Sequence, residues 1–104
     1  EEMSELGSRQ EDFTVMVAKL ILWGDSQGYK MRLGEGYDDD NTGHMEGSLH
    51  YIKLAQDIFI YKPGAAEQDM TAHKRMHDAW DAMGGGPRIE KDLNHYSVVW
   101  EGRR

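Results

Sequence analysis

Residues 48–61 read SLHYIKLAQDIFIY, and this stretch decides the fold. Its second half, LAQDIFIY, is rich in apolar and aromatic residues and is followed by Pro63 and Gly64, a pattern typical of a central β-strand. Asp57 lies inside this apolar run. An ionised carboxylate in a dry core is costly unless it is paired or bound to a metal. Asp57 is therefore the first residue to indicate a functional site.

Two segments outside this stretch have the spacing of helices. Residues 9–27 place apolar side chains along one stripe and follow Ser8, which has the residue type of an N-cap. A second helix is predicted from a cap at Asp69 or Thr71 to about Met83. Each helix has one apolar face, which predicts that both pack on a sheet.

Short strands at 30–33 (KMRL) and 95–100 (HYSVVW) complete the pattern, and a long loop rich in Gly, Asp and Asn occupies 34–47. The order helix, strand, loop, strand, helix, strand predicts the α+β class, with helices packed on a small antiparallel sheet. The length fits a single domain over 1–104, in which we expect 1–7 to be a flexible N-terminal segment.

The composition limits the function. The 104 residues include 19 Asp and Glu against 12 Lys and Arg, for a formal net charge of −7. This acidity excludes broad electrostatic binding to nucleic acid or anionic lipid. The chain contains no cysteine, so any metal must be bound by His, Asp or Glu. We expect no membrane insertion and no signal peptide, because the sequence shows neither a long apolar run nor a leader pattern.

Four polar residues could form a hydrolytic metal site. His50 and Asp57 flank an apolar stretch, and His95 opens the last predicted strand. Two histidines and one carboxylate are a common ligand set for catalytic zinc, which lowers the pKa of a coordinated water. Asp92 is available as the base for that water. Spacing alone leaves structural roles open, namely hydrogen-bonded histidines and a buried structural partner for the carboxylate.

Two motifs resemble those of the peptidase M15 family. Residues 48–57, SLHYIKLAQD, resemble the pattern S-x-H-x-x-G-x-A-x-D of the zinc D,D-peptidases and L-alanyl-D-glutamate peptidases. Residues 92–96, DLNHY, resemble the closing D-x-x-H-aromatic motif of that family. The segments 9–36 and 93–104 are also similar to small phage-borne members, in the same order along the chain.

This resemblance implies a Hedgehog/D,D-peptidase-like fold and one zinc ion held by His50, Asp57 and His95. It implies that Asp92 is the general base. Three further residues are assigned to substrate binding or to support of the site: Ser48, Tyr96 and Arg88. For the serine and the tyrosine, an ordinary hydroxyl at the start of a strand and a packed aromatic ring are the alternatives.

The activity that the resemblance implies is hydrolysis of an amide bond in peptidoglycan stem peptides, as in phage endolysins. Such an enzyme is expected in the host cytoplasm before holin-type release to the cell wall, or as part of the virion. We expect a monomer whose partner is the peptidoglycan peptide.

Two positions depart from the family pattern. Lys53 stands where the motif has glycine, and Asp38 stands where the family commonly has an Arg that holds the scissile carbonyl. An ionised carboxylate cannot donate a hydrogen bond, so either Arg88 or Lys53 supplies the cation, or activity is weak, or the substrate differs. The alternative function is a non-catalytic or weakly active zinc-binding domain of the same fold, acting as a phage structural or wall-binding component.

Three other histidines are weaker candidates. His73 and His77 have the i, i+4 spacing of helical zinc sites, but no Glu follows His73, and we interpret them as a surface or half-buried pair. His44 lies in the long loop and is interpreted as solvated. The acidic run 38–40 lacks the ligand spacing of a calcium loop, so we interpret it as a solvated turn.

Overall fold

The helices and strands occur in the predicted order. The computed structural model describes residues 5–37 and 48–103. Within these residues lie α1 (Glu5–Ser26), β1 (Lys30–Leu33), a 3₁₀-helix (Leu49–Ile52), β2 (Ala55–Tyr61), α2 (Met70–Ala82) and β3 (His95–Ser97). Neither α-helix of this described part has the length and apolar composition needed to cross a membrane.

β2 is the central strand of a three-stranded antiparallel sheet with the order β1-β2-β3. The register pairs Lys30 with Tyr61 and Asp57 with His95. Directly opposite residues of an antiparallel pair point to the same face, so Asp57 and His95 are neighbours on the sheet. The predicted α+β class with a small antiparallel sheet is confirmed.

The core lies where the two helices pack on the sheet. Phe13 of α1 meets Trp80 of α2 edge to face, with 5.9 Å between the ring centroids. Gly24 of α1 allows a close approach, because a Cβ there would lie 2.9 Å from the sulfur of Met31 and 3.0 Å from that of Met76. The fully buried side chains from the sheet and its flanking turns include Leu49, Leu54, Ile58, Ile60 and Val98.

α1 begins earlier than predicted. It starts at Glu5, so Ser8 lies inside the helix and is not its N-cap. Residues 5–7 belong to this helix, and residues 1–4 lie outside the described residues. Leu6 packs against the core, and this burial extends the helix towards its N-terminus. The helix ends shortly before Gly28, whose φ of 83° is the left-handed conformation that glycine favours.

The chain on either side of β2 differs from the sequence pattern in two places. The chain around His50 forms the 3₁₀-helix, so this side chain comes from a helical turn and not from a strand. The local cause is Ser48, whose hydroxyl accepts a hydrogen bond from the His50 N–H at 3.2 Å. β3 is shorter than predicted and ends at Ser97, while Trp100 pairs with Arg103 in an isolated bridge.

Asp69 is the N-cap of α2, and its side chain accepts a hydrogen bond from the Ala72 N–H at 3.0 Å. Of the two predicted N-caps, Asp69 is therefore the correct one, and Thr71 lies inside the helix. Met70, the first residue of α2, is 46 % exposed. The buried face of the helix consists of Ala72, His73, Met76, His77 and Trp80.

His73 and His77 lie in the core, which corrects their interpretation as a surface or half-buried pair. His73 Nε2 donates to the side-chain oxygen of Gln68, and its Nδ1 accepts from the Tyr96 hydroxyl, both at 2.8 Å. His77 Nε2 donates to the Leu93 carbonyl at 2.7 Å. Burial, together with the neighbouring His77, lowers the pKa of His73 to about 4. Burial also lowers the pKa of His77.

The lowered pKa of His73 predicts a loss of stability in mild acid. Between pH 6.5 and pH 4 the unfolded chain protonates this imidazole while the folded chain does not, so the free energy of unfolding falls as the pH decreases. In a chelator, we expect His73 to account for about 2 kcal/mol of the loss between pH 7 and pH 5. Urea unfolding of the wild type and of His73→Gln, which cannot titrate there, measures this difference. Equal losses in both proteins would contradict the prediction.

Candidate metal centre

Three elements bring His50, Asp57 and His95 together. His50 comes from the 3₁₀-helix, Asp57 from β2, and His95 is the first residue of β3. Asp57 Oδ1 lies 3.2 Å from His50 Nε2 and 3.6 Å from His95 Nδ1. One nitrogen or oxygen atom from each residue lies within 4.8 Å of the other two. Both imidazoles are buried, and the Asp57 side chain is 17 % exposed.

A hydrogen bond behind His50 fixes its tautomer. Its Nδ1 donates to the Gly36 carbonyl at 2.7 Å, because a carbonyl oxygen only accepts. In the neutral ring, Nε2 therefore carries no proton, and it faces the Asp57 carboxylate at 3.2 Å. Two electron-rich atoms at this distance repel each other unless a proton or a cation lies between them. The geometry thus favours a positive charge at this point.

The electrostatics of the pair show how a proton could supply that charge. Burial disfavours a charged imidazole at His50, but its hydrogen bonds with Asp57 and with the Gly36 carbonyl outweigh burial and raise its pKa. Burial also opposes the charge of Asp57, but its contacts with His50 and His95 outweigh burial and lower its pKa to about 2. Asp57 is therefore ionised at neutral pH, as a metal ligand must be.

A metal ion is the other way to supply the positive charge. Zinc bound tetrahedrally at about 2.0–2.2 Å places neighbouring ligand atoms about 3.4 Å apart. The distances of 3.2 and 3.6 Å from Asp57 Oδ1 to the two imidazoles lie on either side of that value. The group formed by His50, Asp57 and His95 could therefore hold a metal ion.

The backbone that follows β1 holds Asp57 in place. The Gly34 N–H donates to the Asp57 carbonyl and the Asp57 N–H donates to the Glu35 carbonyl, each at 2.8 Å. The side-chain amide of Gln56 donates to the Gly34 carbonyl at 3.1 Å. These bonds continue the β1–β2 pairing past the end of β1, so the loop is fixed where it passes the site.

Gly36 is the residue of the site that sequence reasoning missed. Its carbonyl accepts the Nδ1 proton of His50, and such partners orient metal-binding imidazoles. A Cβ at this position would lie 2.7 Å from the Gln56 side-chain oxygen and would displace that amide from its hydrogen bond with Gly34. The signal in the sequence is weak, since it consists of a glycine in a loop that contains several.

Lys53 adopts the conformation that a glycine favours. It ends the 3₁₀-helix with φ 61° and ψ 34°, and its N–H donates to the Leu49 carbonyl. A residue other than glycine costs about 1–2 kcal/mol in this left-handed region. The departure from the family motif at this position therefore keeps a left-handed turn, although lysine makes it less stable.

Three other predicted site residues lie in different surroundings. Ser48 supports the site through its hydrogen bond to the His50 backbone. Asp92 is exposed in the turn before β3, and its carbonyl accepts from the His95 N–H at 3.0 Å. Tyr96 is fully buried in the core, which is the packed placement that was its alternative interpretation.

Arg88 pairs with two acidic side chains of α2. One of its guanidinium nitrogens donates to Asp78 at 2.7 Å and to Asp81 at 2.8 Å. Asp38 and His44 lie outside the described residues.

Comparison with known proteins assigns the chain to no family. No protein-family model, curated protein or solved structure matches it. The resemblance to the peptidase M15 motifs therefore stays a prediction, and the metal centre is defined by its geometry alone.

Replacing Asp57 removes the contact that raises the pKa of His50. In metal-free Asp57→Asn we expect this pKa to fall below its wild-type value, because burial then acts without the compensating carboxylate. NMR titration of the imidazole protons in a chelator measures the change. Asp92→Asn is the control, since the groups that raise the pKa of His50 are Asp57, the Gly36 carbonyl and Glu35. An unchanged pKa in Asp57→Asn would show that the pair does not interact.

Proposed function

We propose that this protein is a zinc-dependent peptidase that hydrolyses an amide bond in peptidoglycan stem peptides, as phage endolysins do. The cluster of His50, Asp57 and His95 carries the proposal, because it is the ligand set that the motif resemblance implies and Asp57 Oδ1 lies at ligand–ligand distances from both imidazoles. The helices packed on an antiparallel sheet are compatible with the Hedgehog/D,D-peptidase-like fold that the same resemblance implies.

The donor atoms favour zinc. Two imidazoles and one carboxylate suit this metal, whereas calcium and magnesium prefer oxygen ligands. When bound, zinc lowers the pKa of a coordinated water and polarises a carbonyl oxygen. His50 would bind through Nε2, which is unprotonated in the neutral ring because the proton lies on Nδ1, towards the Gly36 carbonyl. His95 would bind through Nδ1, which faces Asp57.

Asp92 is the residue we assign as general base. It is exposed, and the hydrogen bond from the His95 N–H to its carbonyl at 3.0 Å ties its backbone to a proposed ligand. An ionised carboxylate in such a position can accept a proton from the attacking water and pass it to the leaving amine.

Lys53 is better placed than Arg88 to bind the substrate carbonyl. The charge of Arg88 is balanced by two carboxylates at 2.7 and 2.8 Å. Lys53 is exposed, and its Nζ lies 4.8 Å from the centroid of the Tyr37 ring. Lys53 and Tyr37 line a cleft of about 210 Å³, and Gly36, whose carbonyl accepts from His50, lines the same cleft.

A non-catalytic zinc-binding domain of the same fold is the second candidate. It is favoured by Asp38, which stands where the family commonly has an Arg. An ionised carboxylate cannot donate a hydrogen bond to an oxyanion, and the loss of one such donor costs about 10²–10³ in rate. A domain of this kind would keep zinc for stability and act as a phage structural or wall-binding component.

We expect Asp92→Ala to keep its zinc and lose its peptidase activity, because a general base contributes about 10²–10⁴-fold to the rate. Elemental analysis of untagged protein measures the zinc. The release of new amino groups from purified peptidoglycan, with zinc present, measures the activity. Glu90→Ala is the matched control, since it removes another exposed carboxylate close to the same turn.

The outcomes separate the two functions. Zinc together with amine release that depends on Asp92 supports the peptidase. Zinc without any amine release supports the non-catalytic domain. Equal release by the wild type and Asp92→Ala excludes the assigned base, and protein without zinc excludes both functions.

Zinc is expected to dissociate as the pH falls through the histidine range. His50 and His95 bind a metal only when neutral, so protons compete with zinc, and the raised pKa of His50 moves this competition to higher pH. Dialysis at steps from pH 7.5 to pH 4, followed by elemental analysis, measures the retention of zinc. Circular dichroism at each step checks that the protein stays folded. Zinc fully retained at pH 4 would contradict the ligand assignment.

A further inference from the structure

A buried histidine of α2 reaches the backbone between the proposed base and a proposed ligand. His77 Nε2 donates to the Leu93 carbonyl at 2.7 Å. Leu93 lies between Asp92 and His95, and the His95 N–H closes this turn by donating to the Asp92 carbonyl at 3.0 Å. A side chain from another element therefore holds the turn to which both functional side chains belong.

The position of the His77 ring is itself fixed. The ring is 1 % exposed and stacks on Tyr96 with 4.2 Å between centroids and 12° between planes. Because the Leu93 carbonyl only accepts, the ring proton lies on Nε2, and Nδ1 is buried without a hydrogen-bond partner in the described part of the chain. An apolar side chain would fill this space without burying an unpaired nitrogen. Compared with an apolar side chain, the imidazole of His77 adds the hydrogen bond to the Leu93 carbonyl.

We propose that His77 is a positioning residue of the metal centre, which holds the Leu93 carbonyl and thereby sets the direction in which His95 presents Nδ1 to Asp57. The inference rests on the proposed zinc-binding function. Without this donor the buried carbonyl is unpaired, so the turn shifts and His95 moves with it. His50 and Asp57 keep their own hydrogen bonds with the segment after β1.

Zinc affinity, measured by competition with a chromophoric chelator, tests the proposal. His77→Phe keeps a ring against Tyr96 but removes the donor, and we expect the zinc dissociation constant to rise about tenfold or more. His77→Gln offers an amide donor at a similar reach and is expected to restore most of the affinity. His73→Phe is the matched control, because it removes the hydrogen bonds of the other buried histidine of α2 and leaves the Leu93 contact intact.

The comparison separates positioning from general stability. A loss of affinity in His77→Phe that exceeds any loss in His73→Phe, with recovery in His77→Gln, supports the proposal. Equal affinities in the wild type and His77→Phe, or equal losses in the two Phe variants, overturn it and leave the zinc centre standing. A wild-type protein that binds no zinc overturns both the centre and the role of His77.

The unmutated protein provides a second measurement if His77→Phe does not fold. Coupling between two sites is reciprocal, so zinc must also strengthen the bond between His77 and Leu93. We expect zinc to slow solvent exchange of the His77 Nε2 proton, observed by NMR, by a larger factor than exchange of the His73 Nε2 proton. Equal slowing of both protons reflects overall stabilisation and overturns the proposal.

Discussion

The antiparallel register of β2 and β3 places Asp57 directly opposite His95, and the metal centre depends on this pairing. Side chains alternate between the two faces of a strand, so a shift of β2 by one residue would move Asp57 to the other face of the sheet. Ile58 and Ile60 of β2 are fully buried and would change faces in the same shift. The hydrophobic core thereby fixes the position of the charged carboxylate.

The centre also depends on hydrogen bonds from residues outside the ligand set. On one side, the Gly36 carbonyl fixes the tautomer of His50, so that the Nε2 atom facing the site carries no proton in the neutral ring. On the other side, α2 holds β3 and the turn before it, because the Trp80 indole donates to the Ser97 carbonyl and His77 to the preceding turn, each at 2.7 Å. Ligands supported in this way have little freedom to turn, which favours metal binding without a large ordering cost.

Elements with strong local signals could be predicted. β2 follows from its apolar run, and α2 follows from its apolar spacing and the capping residue Asp69. The start of α1 could not be predicted from local signals. Ser8 has the residue type of a cap, but the partial burial of Leu6, which lies before it, depends on the rest of the core. The 3₁₀-helix around His50 was missed for a related reason, since its short apolar stretch is also compatible with a strand.

From the residues and motifs alone, three candidate ligands could be named, because a carboxylate in an apolar strand needs a partner and two histidines in motif positions offer one. Their chemical state could not be named. The tautomer of His50 depends on a carbonyl 14 residues away, and the burial of His73 and His77 depends on partners from β3 and its flanking turns. Local spacing decides which residues share a face, whereas the packing of separate elements decides which donor meets which acceptor. Only the tertiary structure therefore decides the pKa values, the unprotonated His50 nitrogen that faces Asp57, and the support of the turn before His95.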